Sequence, residues 1–257
     1  MDGAPAGDEG MSRFFFSAGQ RYGDRVVLDD DAARHLRRVL RYSVGDEIEL
    51  CDGVGGCFRA CLITAGDSVV CLLGERLPGR EAAVRCTLAF ALLKGEKSEL
   101  LLQKGTELGV AGFLPFTCRH SVVRPETKKV TSRMDRWQKI VRAAAGQARR
   151  DLIPPVSSLH TWPELLTCLT QFKKTIFFFE GEGGVPLAAA LRDVFPGDRV
   201  LLVTGPEGGF NKAEATEIRA LGAATVTLGP RILRAETAAV VAAALALYEA
   251  GELGGSA

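Results

Sequence analysis

The chain has 257 residues, of which 47% are hydrophobic and 25% charged, with a net charge of +1. That suffices for one large or two small globular domains, and no apolar run approaches the roughly 18 residues of a membrane span, so no membrane partner is expected. Seven cysteines without a Cys-x-x-Cys pair, beside only three histidines, offer no metal-ligand cluster; free buried thiols in a reducing cytoplasm account for them.

The opening MDGAPAGDEG lacks a basic n-region and an apolar stretch, so no export signal is read there and the location is cytoplasmic. Residues 1–12 are expected to be a disordered lead-in. Phe14–Phe16 then forms a short apolar run. Asp29–Asp31 caps a helix across Ala32–Tyr42, with Arg34, Arg37, Arg38 and Arg41 on one face and Leu36, Val39 and Leu40 on the other. The arginines have no acidic partner within the helix. They suit either phosphate contacts or a solvated face that complements the helix dipole.

Glu47–Cys51, Cys57–Thr64 and Ser68–Leu73 are short, β-rich and separated by Asp-Gly and Gly-Asp turns, which predicts a small β-barrel or sheet over 13–76. A linker over 77–83 follows. From Val84 onward strands and helices alternate: strand Val84–Leu92, helix Ser98–Leu108 with Gly109 as its cap, strand Ala111–Phe116 and helix Ser132–Ala148. Next come helix Thr161–Leu169, strand Thr175–Phe179 and helix Leu187–Val194. Such alternation over 84–257 predicts a parallel α/β sheet of five or six strands.

The remaining strands, Val200–Val203 and Ala224–Leu228, are apolar without period-2 alternation, as in strands covered on both faces. Each ends in a glycine turn, Gly205–Gly209 and Gly229-Pro230. Asn211 with Glu214 is a capping box opening the next helix. Two adjacent strands ending in such turns make a lip at the carboxyl edge of the sheet, where open α/β sheets bind ligands. Arg231, Arg234 and Glu236 crowd the second turn, more charge than a structural turn needs. The last helix, Ala235–Ala250, is small and apolar on every side and is expected to be buried all round, in a core or against a second subunit.

Charge is unevenly spread: 24 Lys/Arg against 19 Asp/Glu in residues 1–150, but 8 against 12 in 151–257. Ten basic residues fall between Arg119 and Arg150, opposed by Glu126 and Asp135 alone. This localised field implies an anionic partner such as nucleic acid.

The order LAFALLKGEKSELLLQKGTELGV (88–110), RWQKI (136–140), LLVTGPEGGF (201–210) and LGPRILRAETAA (228–239) resembles the RsmE-type ribosomal RNA methyltransferases of the SPOUT superfamily. The likeness spans nearly the whole chain, and linked motifs in fixed order are more specific than any one of them. It implies S-adenosyl-L-methionine-dependent methylation of uridine N3 in 16S ribosomal RNA, free or in the assembled small subunit. It also implies a PUA-like amino-terminal barrel, a homodimer, and a cofactor pocket within a trefoil knot.

By the same resemblance the cofactor sits against Thr204, Gly205, Pro206, Glu207, Gly208 and Gly209. Leu228, Gly229, Arg231, Ile232, Leu233 and Thr237 belong to the second loop, and Phe179 supplies a third wall. RNA contacts are expected from Arg13, Arg34, Arg37, Arg38, Arg41, Lys128, Lys129, Arg149 and Arg150. The pattern departs from the family at Ala145-Gly146-Gln147-Ala148, where Ala-Glu-Gln-Ser is common.

Methyl transfer to a ring nitrogen needs alignment, a deprotonated nucleophile and a dry site. Arg234 is the candidate for stabilising the uridine anion, whose charge spreads onto two carbonyl oxygens. Glu207 and Glu236 are candidates for the base, and each could equally be structural. A non-catalytic RNA-binding assembly factor with a dimerising α/β domain remains the alternative at this stage; binding of S-adenosyl-L-methionine separates the two.

Overall fold

The computed structural model describes residues 11–66, 68–123, 127–181 and 183–254, without the side chains of 127–129. Most of the expected lead-in lies outside the described residues. The chain divides into two compact units, one taking in the chain up to Glu81 together with Arg149–Ile153, the other Ala82–Ala148 and Pro154 onward.

The first unit is a mixed, PUA-like sheet of β1 (Arg13–Phe15), β2 (Arg21–Tyr22), β3 (Arg25–Val27), β4 (Glu47–Cys51), β5 (Cys57–Ala65) and β6 (Val69–Arg76). Its order is β1-β4-β5-β6-β3-β2, with β1 parallel to β4 and the other pairs antiparallel. The barrel expected from the hairpins is therefore a half-barrel with β1 and β2 as edges. Ile48, Leu50, Leu62, Val26 and Leu36 are fully buried in its core; the period-2 spacing of Ile48 and Leu50, Ala60 and Leu62, and Val69 and Cys71 puts β4–β6 on it from one face.

The arginine helix differs from its expected form. Asp29 caps α1 (Asp30–Arg34) by accepting from the Ala32 amide at 2.8 Å, but residues His35–Leu40 continue as a π-helix and Arg41 ends it at φ 59°. The wider π turn rotates the later side chains away from α-helical register. Leu36 stays buried, while Val39 and Leu40 are exposed rather than packed on an inner face.

A second correction concerns sulfur. Cys51 and Cys57, directly opposed in the β4–β5 register, are joined as a disulfide. The other five cysteines are free thiols as expected, and burial pushes Cys71 and Cys86 up to about 12, where they are unreactive.

The second unit is a six-stranded, wholly parallel sheet in the order β12-β10-β11-β7-β8-β9. Its elements in chain order are β7 (Arg85–Ala91), α2 (Lys97–Leu108), β8 (Gly112–Thr117), α3 (Thr127–Gln147), β9 (His160–Thr161) and α4 (Trp162–Cys168). They continue with β10 (Lys174–Phe178), α5 (Leu187–Ala190), β11 (Arg199–Thr204), α6 (Lys212–Ala220), β12 (Ala224–Val226) and α7 (Ala235–Glu249). α5 stops short of the expected Val194, ahead of Pro196 and a Gly197 turn at φ 94°. The Asn211–Glu214 capping box of α6 is present, with reciprocal bonds of 2.8 and 2.9 Å. Val200–Val203 and Ile176–Phe177 have no solvent exposure, as strands covered on both faces require.

α7 buries Ala239, Ala242, Ala243, Ala246 and Leu247, but Leu245 and Tyr248 are exposed. Within this chain the last helix is covered along one face, not all round. No helix among the described residues is long and apolar enough to cross a membrane.

Candidate active site

Because β10, β11 and β12 are adjacent and parallel, the loops leaving them meet at one carboxyl edge. They enclose a cavity of about 380 Å³, within the range of small-molecule sites. From the first loop it is lined by Thr204, Gly205, Pro206, Glu207 and Gly209, and from the second by Leu228, Gly229, Arg231, Ile232, Leu233 and Arg234. Phe179 is on the third wall as expected, joined by Phe178 and Glu180.

Three expected residues are not on this lining: Gly208, Thr237 and Glu236. Gly208 faces the other way, and a Cβ there would meet the His120 Cβ at 3.1 Å, while its carbonyl lies 3.1 Å from His120 Nδ1. Thr237 is exposed one turn into α7. Glu236 belongs to the first turn of α7 and points to Lys97.

Lys97, Phe210 and Ala238 line the cavity and were not foreseen. Phe210 anchors the first loop, with ring centroids 4.7 Å from Phe177 and 5.5 Å from Trp162. A Cβ on Gly205 would lie 2.8 Å from the Phe210 ring. That close approach is why the turn after β11 must open with glycine; Gly209 is needed for a different reason, φ 65°.

Two features of the cavity fit an adenosyl cofactor. Its apolar floor includes Phe178, Leu228, Leu233 and Ala238. The main-chain amides of Leu228, Ile232 and Leu233 have no acceptor among the described residues, leaving them free for an adenine edge. If this is the cofactor cradle, Gly205→Ala should weaken S-adenosyl-L-methionine binding about tenfold or more by calorimetry, and Gly208→Ala should weaken it far less. Equal losses would mean that the loop responds as a unit, not through the wall that Gly205 forms.

The carboxylates are engaged. Glu207 Oε1 accepts from the Lys94 amide at 3.1 Å and lies 3.6 Å from Lys97 Nζ. Partial burial pushes its carboxyl up, but its own amide, the Lys94 amide and the Lys97 ammonium outweigh this and hold it below the ordinary carboxylate range. A carboxylate held ionised by two amides and an ammonium is a poor proton acceptor. Glu236 Oε2 is buried, has no hydrogen-bond donor in good geometry among the described residues, and is 3.2 Å from the same ammonium. Arg234 is the N-cap residue of α7; its side chain is exposed and without a partner among the described residues. Neither glutamate is paired with it.

Known proteins share this fold. Residues 80–247 match the RNA methyltransferase domain family and residues 28–73 the RNA methyltransferase PUA domain family. The ribosomal RNA small subunit methyltransferase E of Bacillus subtilis is 35% identical over 93% of this chain and 97% of its own length. The chain belongs to the ribosomal RNA small subunit methyltransferase E family. A Neisseria gonorrhoeae member solved with S-adenosyl methionine superposes with a TM-score of 0.79 at 30% identity, covering 93% of this chain and 98% of that one. A Legionella pneumophila putative methyltransferase, in complex with the same cofactor, gives 0.78 at 27% identity over 93% and 97%.

The expected RNA-binding residues of this family member fall into distinct groups. Arg13, Arg149 and Arg150 hold the first unit together. Arg13 is 3% exposed; its Nε meets Glu49 at 2.7 Å, and its Nη1 meets Asp151 at 2.9 Å and also donates to the Arg149 carbonyl. Arg149 reaches Glu49 at 3.5 Å, and Arg150, 6% exposed, pairs with Glu81. The Arg13 and Arg150 guanidiniums, buried against carboxylates, are not presented to phosphate, whereas Arg149 is partly exposed. Asp151 also lies beside Cys51 and Cys57, the one cluster of potential metal ligands among the described residues. The sulfurs there are joined to each other, and the carboxylate accepts from Arg13 and from the Arg80 amide at 2.8 Å.

The arginine row is not a set of four free cations either. Arg34 pairs with Asp31 at 3.1 Å, and Arg37 donates to the Gly66 carbonyl at 2.7 Å. Arg38 and Arg41 are exposed and unpartnered among the described residues. Lys128 and Lys129 have backbone on α3, and their side chains lie outside the described residues. Elsewhere in the basic segment, Arg136 pairs with Glu99 at 2.7 Å and Arg133 lies over the Trp137 ring, so part of that field is already neutralised or stacked.

Proposed function

We propose that this protein transfers a methyl group from S-adenosyl-L-methionine to uridine N3 of small-subunit ribosomal RNA. The observation carrying this reading is the cavity between the Gly205–Gly209 turn and the 228–234 loop, in a chain whose relatives are named small-subunit ribosomal RNA methyltransferases. When bound, the cofactor supplies an electrophilic methyl on a sulfonium.

The chain's own residues do the rest. The glycine turn and the 228–234 main chain hold the adenosyl part, while Phe178 and Leu233 keep water from it. Arg234, at the cavity rim, lies against the carbonyl oxygens of the uracil and lowers the cost of its N3 anion. Glu207 is tied to two amides and an ammonium, and Glu236 is off the lining beside the same ammonium, so neither is free to take the N3 proton. Mass-spectrometric mapping of ribosomal RNA from a strain lacking this protein should show loss of one N3-methyluridine, restored by the intact gene; an unchanged modification pattern overturns the reading.

The RNA surface centres on Arg38 and Arg41. Replacing Arg38 by Ala and Arg41 by Asn, which tolerates the left-handed backbone at that position, should shallow the salt dependence of RNA binding by about 0.7–0.9 per arginine. An unchanged slope means the two side chains are merely solvated. A homodimer in the cytoplasm belongs to the same reading, supported by Leu245 and Tyr248 exposed on an otherwise apolar α7. So does the knot, supported by the return of the chain from edge strand β12 to a helix packed on central β11 and β7.

A further inference from the structure

We propose that Lys97 is a positioning residue that latches the two cofactor loops to each other. This inference rests on the cavity being the cofactor site. Lys97 is the first residue of α2, on a third segment that follows β7. Its ammonium stands 3.6 Å from Glu207, on the turn after β11, and 3.2 Å from Glu236, in the first turn of α7. One cation thus joins the loop on one side of the cavity to the helix that closes the other.

Local energetics do not explain a lysine there. The first turn of a helix carries partial positive charge and favours Asp or Glu. A lysine at that position is locally unfavourable and is offset by the two carboxylates it meets. The dependence also runs the other way. Glu236 Oε2 is buried and lacks a hydrogen-bond donor among the described residues, so beside the positive end of its own helix the Lys97 ammonium is the one cation that meets it there. Glu207 keeps the Lys94 amide when Lys97 is removed, but Glu236 Oε2 keeps only the positive end of its helix and no direct donor among the described residues. Two carboxylates that share one cation would repel each other without it, and the cheapest relief is for the loops to part. Parting them widens the cavity where the adenosyl group must be gripped on both sides.

The latch acts on binding, not on the chemical step. Lys97→Met keeps the length and apolar stem of the side chain and removes only the charge. It should raise the dissociation constant and KM for S-adenosyl-L-methionine about tenfold, leaving kcat within about threefold. Lys97→Arg should restore most of the affinity. The decisive variant is Lys97→Met with Glu236→Gln, because the second change removes the stranded charge; it should recover about half or more of the lost affinity on a logarithmic scale. A purely structural lysine would give additive losses and no recovery. Thermal melts identify any variant that fails to fold, and for that case Glu236→Gln alone serves, since a loosened latch should raise KM by about threefold without touching kcat.

An unchanged dissociation constant in Lys97→Met overturns the latch, as does a fall in kcat at constant KM, which would place Lys97 on the nucleotide. The Gly205→Ala variant separates this from failure of the cavity assignment. If Gly205→Ala weakens binding and Lys97→Met does not, only the latch is wrong. If neither does, the cofactor binds elsewhere.

Discussion

Arg234→Lys should lower turnover by about 10²-fold, the scale of losing one oriented donor to a developing anion, with the cofactor dissociation constant nearly unchanged. Two features of the site make this prediction sharper than the sequence allowed. Arg234 does not brace its loop by pairing with Glu207 or Glu236, because Lys97 occupies both carboxylates. The arginine also does nothing for its own helix. As N-cap residue it contributes its main-chain carbonyl to the Ala238 amide at 2.8 Å, which lysine preserves, and its side chain makes no capping bond. A guanidinium at the positive end of a helix gains most when an anion arrives beside it. Lysine keeps the charge and loses the planar fork that spans two carbonyl oxygens. Steady-state turnover and calorimetric affinity, measured on Arg234→Lys and Arg234→Ala, decide the matter. Near-wild-type turnover in the lysine variant removes Arg234 from the chemistry. A large rise in the cofactor's dissociation constant in the alanine variant makes it a binding residue instead.

The elements that built the cavity were legible because each rests on a local rule. Continuous apolar runs marked β11 and β12, and the Asn211–Glu214 pair marked the start of α6. The glycine turns marked the sheet edge. What could not be read is what long-range contact decides. Gly205 and Gly208 look alike in sequence, yet one faces the cavity beside Phe210 and the other is turned to His120. Lys97 lies more than a hundred residues from both of its carboxylate partners, and in sequence it reads as a solvated helix start. The arginine row failed differently: a π turn cannot be told from an α turn by spacing, and it carries Val39 out to solvent. A localised run of basic residues invites an RNA reading, but Arg13 and Arg150 are buried against, and Arg149 reaches, carboxylates at positions 49, 81 and 151 that no spacing rule connects.

That last cluster yields the largest expected effect on stability. Glu49 is wholly buried on β4 and faces Arg13 at 2.7 Å, Arg149 at 3.5 Å and Arg80 at 3.7 Å. Glu49→Ala removes the one carboxylate these guanidiniums share. Arg149 and Arg80 are partly exposed and can turn toward water, but Arg13 is 3% exposed and keeps only Asp151 and the Arg149 carbonyl. Breaking a buried pair from one side costs about 3–5 kcal/mol when the charge is left without compensation, and Asp151 keeps the loss toward the lower end of that range. The loss should fall on the unit that holds β1, β4 and Arg149–Ile153, so it is best followed by hydrogen exchange of the β4–β5 amides across a urea series; a chain of two units need not unfold in one step. Arg13→Met should cost a similar amount, and combining it with Glu49→Leu should cost less than the two single changes added together, since the double variant strands Asp151 alone and no longer the Arg13–Glu49 partners. The same variants test the role that sequence alone gave Arg13. A phosphate-binding arginine would lower the salt slope of RNA binding and leave stability untouched. A buried structural one does the reverse, and a loss in Glu49→Ala below about 1 kcal/mol, the scale of an exposed ion pair, would return Arg13 to the RNA surface.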